Sequence, residues 1–178
     1  MIHEMIIAGF GGQGVMVMGQ LLTYAGMLER KQVSWIPSYG PEMRGGTANC
    51  SVIISDEPVG APIVSEASAV VAMNLPSLEK FEPLLRPGGI LLINSALIDR
   101  EAGRGDIRAY RLAFNAIASE LGNSKAANMV ALGAVVAATQ AVTAQSVLQA
   151  FEKMFANRPK LLAINRLALA AGAERLQQ

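Results

Sequence analysis

Glu4-Met5-Ile6-Ile7-Ala8-Gly9-Phe10-Gly11-Gly12-Gln13-Gly14-Val15 is the stretch on which the fold turns. Its first part is short, apolar and suited to a β-strand. It runs into a cluster of glycines, and a helical pattern starts at once. Val15, Met18, Leu21, Leu22, Ala25 and Leu28 share one helical face. Residues 32–36 then read as a second strand. Strand, glycine turn, helix and strand together open a parallel sheet.

Gly9, Gly11 and Gly14 occupy the places of a Gly-x-Gly-x-x-Gly fingerprint. On that reading Gly9 allows a tight turn, Gly11 lets backbone amides approach a ligand, and Gly14 lets helix and strand pack closely. The helix start then offers unpaired N–H groups to an anion. A nicotinamide or flavin site usually carries an acid ~20 positions on, at the end of the second strand. That strand, Gln32-Val33-Ser34-Trp35-Ile36, has none, and Glu29 lies before it. Three readings stay open: a nicotinamide or flavin site, glycines that serve only turn and packing, or another phosphate-bearing ligand or subunit contact.

Farther along, residues 37–46 read as a loop and 47–55 as a strand with Ala48, Cys50, Val52 and Ile54 on one side. Residues 69–73 form a buried-type strand, 76–85 a helix, 86–89 a turn, 89–94 a strand and 107–112 another. The last third is helical: 114–121, then 125–141 capped by Ser124, a helix capped by Thr143, and a final one from 157–159 to near Gly172. The expected fold is α/β, a Rossmann-like and mostly parallel sheet with a helical C-terminal third, in one domain over 1–178.

Composition narrows the function classes. The 178 residues are 52% apolar and 16% charged, oilier than average, so some surface could be covered by another chain. The formal charge is +1 and aromatics are 5%, with no basic block, which argues against nucleic acid. One cysteine, Cys50, and one histidine, His3, cannot build a disulfide, a zinc site or a four-cysteine cluster within the chain. Cys50 reads as a packed thiol and His3 as an exposed or capping residue. The oiliest stretch, 126–142, is shorter than the ~20 residues of a membrane span, and the expected location is the cytoplasm. Asp99, Arg100, Glu101 and Arg104 read as a solvated loop, and Glu79, Lys80 and Glu82 as the outer face of a helix. The spacing recommends no catalytic residue and no metal ligand in this chain.

Ser38-Tyr39-Gly40-Pro41-Glu42-Met43-Arg44-Gly45-Gly46 is the less ordinary feature. It follows the second strand and so belongs on the same sheet edge as the glycine turn, where open α/β sheets bind ligands. Arg44 could grip a carboxylate or phosphate in bidentate fashion, or pair with Glu42. Tyr39 could stack on a planar ligand or fill a gap.

Gly-Phe-Gly-Gly-Gln-Gly-Val, followed by Ser-Tyr-Gly-Pro-Glu-Met-Arg-Gly-Gly-Thr-Ala-Asn-Cys, resembles the gamma subunit of 2-oxoacid:ferredoxin (acceptor) oxidoreductases. Leu85-Arg86-Pro87-Gly88-Gly89 and Asn128-Met129-Val130-Ala131-Leu132-Gly133-Ala134 match that family too, so the likeness spans about residues 5–134. The loop form is most similar to the 2-oxoglutarate branch. The resemblance implies conversion of a 2-oxoacid and coenzyme A to acyl-coenzyme A and carbon dioxide, with electrons passed to ferredoxin. It implies thiamine diphosphate and Mg between alpha and beta partner subunits, and iron–sulfur clusters in beta or delta. This chain would shape the coenzyme A entrance through Gly11, Gly12, Gln13, Gly14, Tyr39, Glu42, Arg44 and Gly45. It would span no membrane, and alone it could form a homodimer through the surface meant for its partners. A stand-alone dinucleotide-binding oxidoreductase and a non-catalytic scaffold are the competing readings.

Overall fold

The structure, a computed structural model, describes residues 1–40 and 47–177. Among the described residues six strands form one sheet: β1 (Ile2–Phe10), β2 (Gln32–Tyr39), β3 (Thr47–Ser55), β4 (Ala67–Ala72), β5 (Leu85–Asn94) and β6 (Arg108–Leu112). Their spatial order is β2-β3-β1-β4-β5-β6. β1, β4, β5 and β6 pair in parallel, while β3 runs antiparallel to both β1 and β2. The sheet is therefore Rossmann-like and mostly parallel, as expected, with one correction. The strand after the first helix does not lie beside β1, because β3 folds back along β2 and inserts between them.

The described residues also form six α-helices: α1 (Val15–Leu28), α2 (Leu75–Phe81), α3 (Phe114–Glu120), α4 (Ala127–Thr139), α5 (Ala144–Met154) and α6 (Leu161–Leu176). They are unevenly shared between the two faces. On one face Met5, Ile7, Cys50, Val52, Ile54, Val71 and Leu92 meet α1, α3, α4, α5 and α6. On the other Ile6, Ala8, Ile53, Val70, Leu91 and Ile93 meet α2 and the flanking residues Val64 and Ile98, with Val59, Ala102 and Ile107 packed around them. The expected stripe of α1 is the packed one: Val15, Met18, Leu21, Leu22 and Ala25 are all buried. A fully buried Met or Leu contributes about 2 kcal/mol, so this stripe anchors the helix that follows the glycine turn.

Several expected boundaries move for identifiable reasons. β2 continues through Pro37, which pairs with Cys50; β2 is an edge strand, where a missing N–H does no harm. Residues 86–89 are not a free turn but a bulge within β5, with Gly88 at φ +73°. The helix expected over 76–85 ends at Phe81 and tightens to a 3₁₀ turn at Glu82–Leu84. Asn123, rather than Ser124, caps the turn that leads into α4, accepting from Lys125 N. Thr143 caps α5, as the pattern predicts, accepting from Ser146 N at 3.1 Å. Gly172 does not end α6, which runs on to Leu176. Its missing side chain instead admits the Val130 carbonyl of α4, and Gly133 likewise admits the Leu169 carbonyl of α6.

The charged residues after α2 also depart from expectation. Glu82 is buried rather than on an outer face. Its carboxylate accepts from Gly103 N at 2.5 Å and Arg104 N at 3.2 Å and lies 3.6 Å from Arg100. Arg104 pairs with Asp106 and Arg111 with Glu101. Asp99, Arg100 and Glu101 are exposed, as expected of a solvated loop, and the loop is also pinned to the body of the protein through Glu82.

Candidate functional site

The glycine turn sits where β1 ends and α1 begins. Gly9 is a strand residue, and its role differs from the expected one. A Cβ there would lie 2.5 Å from Gln13 Oε1 and 2.8 Å from Met73 Cβ, so the glycine makes room for the Gln13 side chain. Gly12 and Gly14 are the residues that need left-handed backbone, at φ +95° and +75°. Gly14 is also the N-cap of α1, and Asn128 of α4 lies against it. The close neighbour that demands glycine there is a helix side chain rather than a strand.

Gln13 closes the turn. Its backbone N–H donates to Phe10 O at 3.2 Å, and its Oε1 accepts from Phe10 N at 2.6 Å. Its Nε2 donates to Met73 O at 3.3 Å, across the gap between the carboxyl ends of β1 and β4. That gap is the switch point where open α/β sheets commonly take ligands. Here a carboxamide spans it. Asn94, buried at the end of β5, donates to the same Met73 carbonyl at 3.2 Å and to Asn115 Oδ1 at 2.9 Å. The sequence analysis assigns no site role to Asn94, Asn115 or Asn128. The available signal was a lone Asn closing an otherwise apolar strand.

The open space lies on the other side of the turn. A pocket of about 280 Å³ is lined by Phe10, Gly11, Gly12, Gly14, Val15, Met16, Val17, Tyr39 and Ala48. Strand register assembles it: Phe10 of β1 faces Thr47 of β3, and Tyr39 of β2 faces Ala48. The expected companions Gly11, Gly12, Gly14 and Tyr39 thus share one pocket, whereas Gln13 is not among the residues lining it. Glu42, Arg44 and Gly45 lie outside the described residues. Phe10 is 37% and Tyr39 57% exposed, so two aromatic faces are available.

Electrostatics favours an anion here. Among the described residues no side chain caps α1, and its first turn holds no acid. The N–H groups of that turn point out from the helix start with its partial positive charge. None of the described lining residues is charged. Glu29 is far from this role: its carboxylate accepts from Thr143 N at 2.7 Å and pairs with Lys31 at 3.3 Å. Cys50 is buried, donates to Val15 O at 3.6 Å, and its thiol is pushed by burial to about 11. It is a packing residue beneath the start of α1. His3 is half-buried at the opposite sheet edge, and burial followed by Lys31 and Arg86 lowers its pKa.

Residues 4–175 match the family described as Pyruvate ferredoxin/flavodoxin oxidoreductase. The chain belongs to this family. It is similar to gamma-type subunits of the 2-oxoacid:ferredoxin oxidoreductases, on the following likenesses. It is 34% identical to 2-oxoglutarate synthase subunit KorC of Methanocaldococcus jannaschii, over 84% of this chain and 82% of that one. It is 41% identical to Ketoisovalerate oxidoreductase subunit VorA of Methanothermobacter thermautotrophicus, over 94% of this chain. It spans only 35% of the length of that VorA relative. The keto/oxoacid ferredoxin oxidoreductase gamma subunit of Geobacter sulfurreducens superposes with a TM-score of 0.83 at 30% identity, covering 98% of each chain. The same fold recurs, at 22% identity and a TM-score of 0.90, as 31% of a chain of the 2-oxoglutarate:ferredoxin oxidoreductase of Magnetococcus marinus. Among the described residues no helix is long and apolar enough to cross a membrane.

Proposed function

We propose that this gamma-type subunit serves a 2-oxoglutarate:ferredoxin oxidoreductase and forms part of its coenzyme A entrance, all 178 residues acting as one domain. The reaction joins 2-oxoglutarate and coenzyme A into succinyl-coenzyme A, releasing carbon dioxide and two electrons to ferredoxin. The observation that carries the coenzyme A assignment is the pocket at the start of α1. Uncapped amides there suit a phosphate, and Phe10 and Tyr39 suit a planar ring. Its volume, near the lower end of the ~300–1,000 Å³ usual for ligand sites, suits part of a coenzyme A molecule.

The hard chemistry belongs to other subunits. Thiamine diphosphate supplies the decarboxylating carbanion chemistry when bound, and it is assigned with Mg to alpha and beta. Iron–sulfur clusters are assigned to beta or delta. The donor set of this chain does not fit a cluster, since its one cysteine is buried and held as a thiol. No catalytic step is assigned to this chain's side chains. Its work is to bind and orient. Gly11 and Gly12 keep Cβ atoms out of the way of the entering group, and Tyr39 covers it. Glu42, Arg44 and Gly45 complete the entrance, with Arg44 as the anion grip. A buried, unpaired thiol suits a reducing cytoplasm.

The loop from Tyr39 to Gly46 and the KorC relatives support 2-oxoglutarate. The higher identity to VorA supports a second reading, a branched-chain 2-oxoacid. One experiment addresses both. The chain, expressed in its native host with an affinity tag, is expected to co-purify with subunits carrying thiamine diphosphate and iron–sulfur clusters. The complex should reduce ferredoxin with coenzyme A and 2-oxoglutarate faster than with a branched-chain acid. The reverse preference would move the substrate to the second reading. NAD-dependent turnover by the chain alone would overturn the subunit assignment.

A further inference from the structure

Gln13 occupies the fingerprint position where a ligand contact was expected, yet its side chain is used up inside the protein. Both ends of the carboxamide are committed, Oε1 to Phe10 N at 2.6 Å and Nε2 to Met73 O at 3.3 Å. Phe10 is a pocket wall, and Met73 follows β4, the strand on the far side of β1. Met73 is itself fixed, since its N–H donates to Ala8 O at 2.9 Å and its carbonyl also accepts from buried Asn94. Gly9 leaves space for this one side chain. A carboxamide accepts at one end and donates at the other without charge at any ordinary pH.

We infer that Gln13 is a positioning residue: it bolts the glycine turn to the end of β4 and so holds Phe10 and the first amides of α1 where the entering ligand meets them. This rests on the coenzyme A reading above. Preorganised donors contribute only when held in place, so releasing the bolt weakens binding without touching the reacting atoms.

The test is steady-state kinetics of the assembled oxidoreductase. Gln13→Met keeps the side-chain length and removes both hydrogen bonds. It should raise the KM for coenzyme A about tenfold, which two lost hydrogen bonds can supply. The kcat and the KM for the 2-oxoacid should stay within about twofold. Gln13→Glu keeps the acceptor for Phe10 N and loses the donor to Met73, and should shift the same constant in the same direction. Gly9→Ala displaces Gln13 without substituting any pocket-lining residue, and should reproduce the split. Equal changes in kcat and in both KM values, or an unchanged KM for coenzyme A, would overturn the role. Tyr39→Ala separates the two layers of the argument. If it raises the KM while Gln13→Met does not, the bolt fails and the entrance stands. If neither raises it, the entrance fails as well.

Discussion

The glycine turn and the α4–α6 crossing use the same amino acid for opposite purposes. At the turn, Gly9 and Gly14 make room for side chains, Gln13 Oε1 and the Asn128 carboxamide. At the crossing, Gly133 and Gly172 make room for backbone, the carbonyls of Leu169 and Val130. The tips of Gln13 and Asn128 can swing partly away from an added methyl group, although the Cβ atoms of Met73 and Asn128 also lie within 3.0 Å, whereas the carbonyl of a packed helix cannot. The first arrangement adjoins an open pocket. The second is rigid and holds the C-terminal helices against the sheet. The difference separates where this fold can be altered in function from where it can only be altered in stability.

The largest effect is expected at the crossing. Gly133→Ala or Gly172→Ala would push a Cβ into a neighbouring helix backbone, and the helices would have to separate. Overpacking of this kind should lower stability by about 3 kcal/mol, read by chemical denaturation. A loss below about 0.5 kcal/mol would show that the two helices are free to move apart. Gly14→Ala should cost less, about 1–2 kcal/mol for the left-handed backbone plus the contact with Asn128. Adding Asn128→Ala removes the carboxamide but not its Cβ, so it should restore part of the contact cost and none of the backbone cost. Full restoration would mean that the φ of +75° carries no strain.

A smaller and purely chemical contrast is set by Cys50, buried under the start of α1 beside the pocket. With its thiol pushed to about 11, it should react with a thiol reagent at pH 8 roughly a hundredfold more slowly than a free cysteine does. Rapid labelling of the folded chain would show that the turn opens far more often than its hydrogen bonds suggest. The smallest effect belongs to His3, at the opposite edge of the sheet. Its folded pKa lies below the ordinary 6.5, so the unfolded chain takes up the proton more readily. The stability tied to this residue is present above pH 6.5 and is lost as the pH falls through the lower folded value. His3→Gln should flatten that acid-side decline, and an unchanged slope would assign the decline to other groups.

Much of this was legible in the sequence, and the parts that were not share a cause. Periodicity located α1 and its buried stripe, because Val15, Met18, Leu21, Leu22 and Ala25 respond to a single apolar neighbour. Periodicity also located β3, with Ala48, Cys50, Val52 and Ile54 on the packed side. It could not reveal that β3 inserts between β1 and β2, since strand order depends on partners distant in the chain. The pocket was half legible. The Gly11, Gly12, Gly14 and Tyr39 positions follow from strand direction, which brings both loops to one edge. Gln13 shares the motif of the pocket-lining glycines, and only the position of the Met73 carbonyl shows that its side chain turns inward. Glu82 was misplaced for a similar reason: its partners, the amides of Gly103 and Arg104, arrive from a later loop. Residues whose role is set by a partner 20 to 60 positions away leave no periodic trace.

The central claim is that the start of α1 and Tyr39 meet coenzyme A in the assembled enzyme. Titration calorimetry of coenzyme A into the complex containing Tyr39→Ala tests it most directly. Loss of a stacking aromatic should weaken binding about tenfold, the equivalent of about 1.4 kcal/mol, with 2-oxoacid binding unchanged. Coenzyme A affinity equal to that of the unaltered complex would contradict the account.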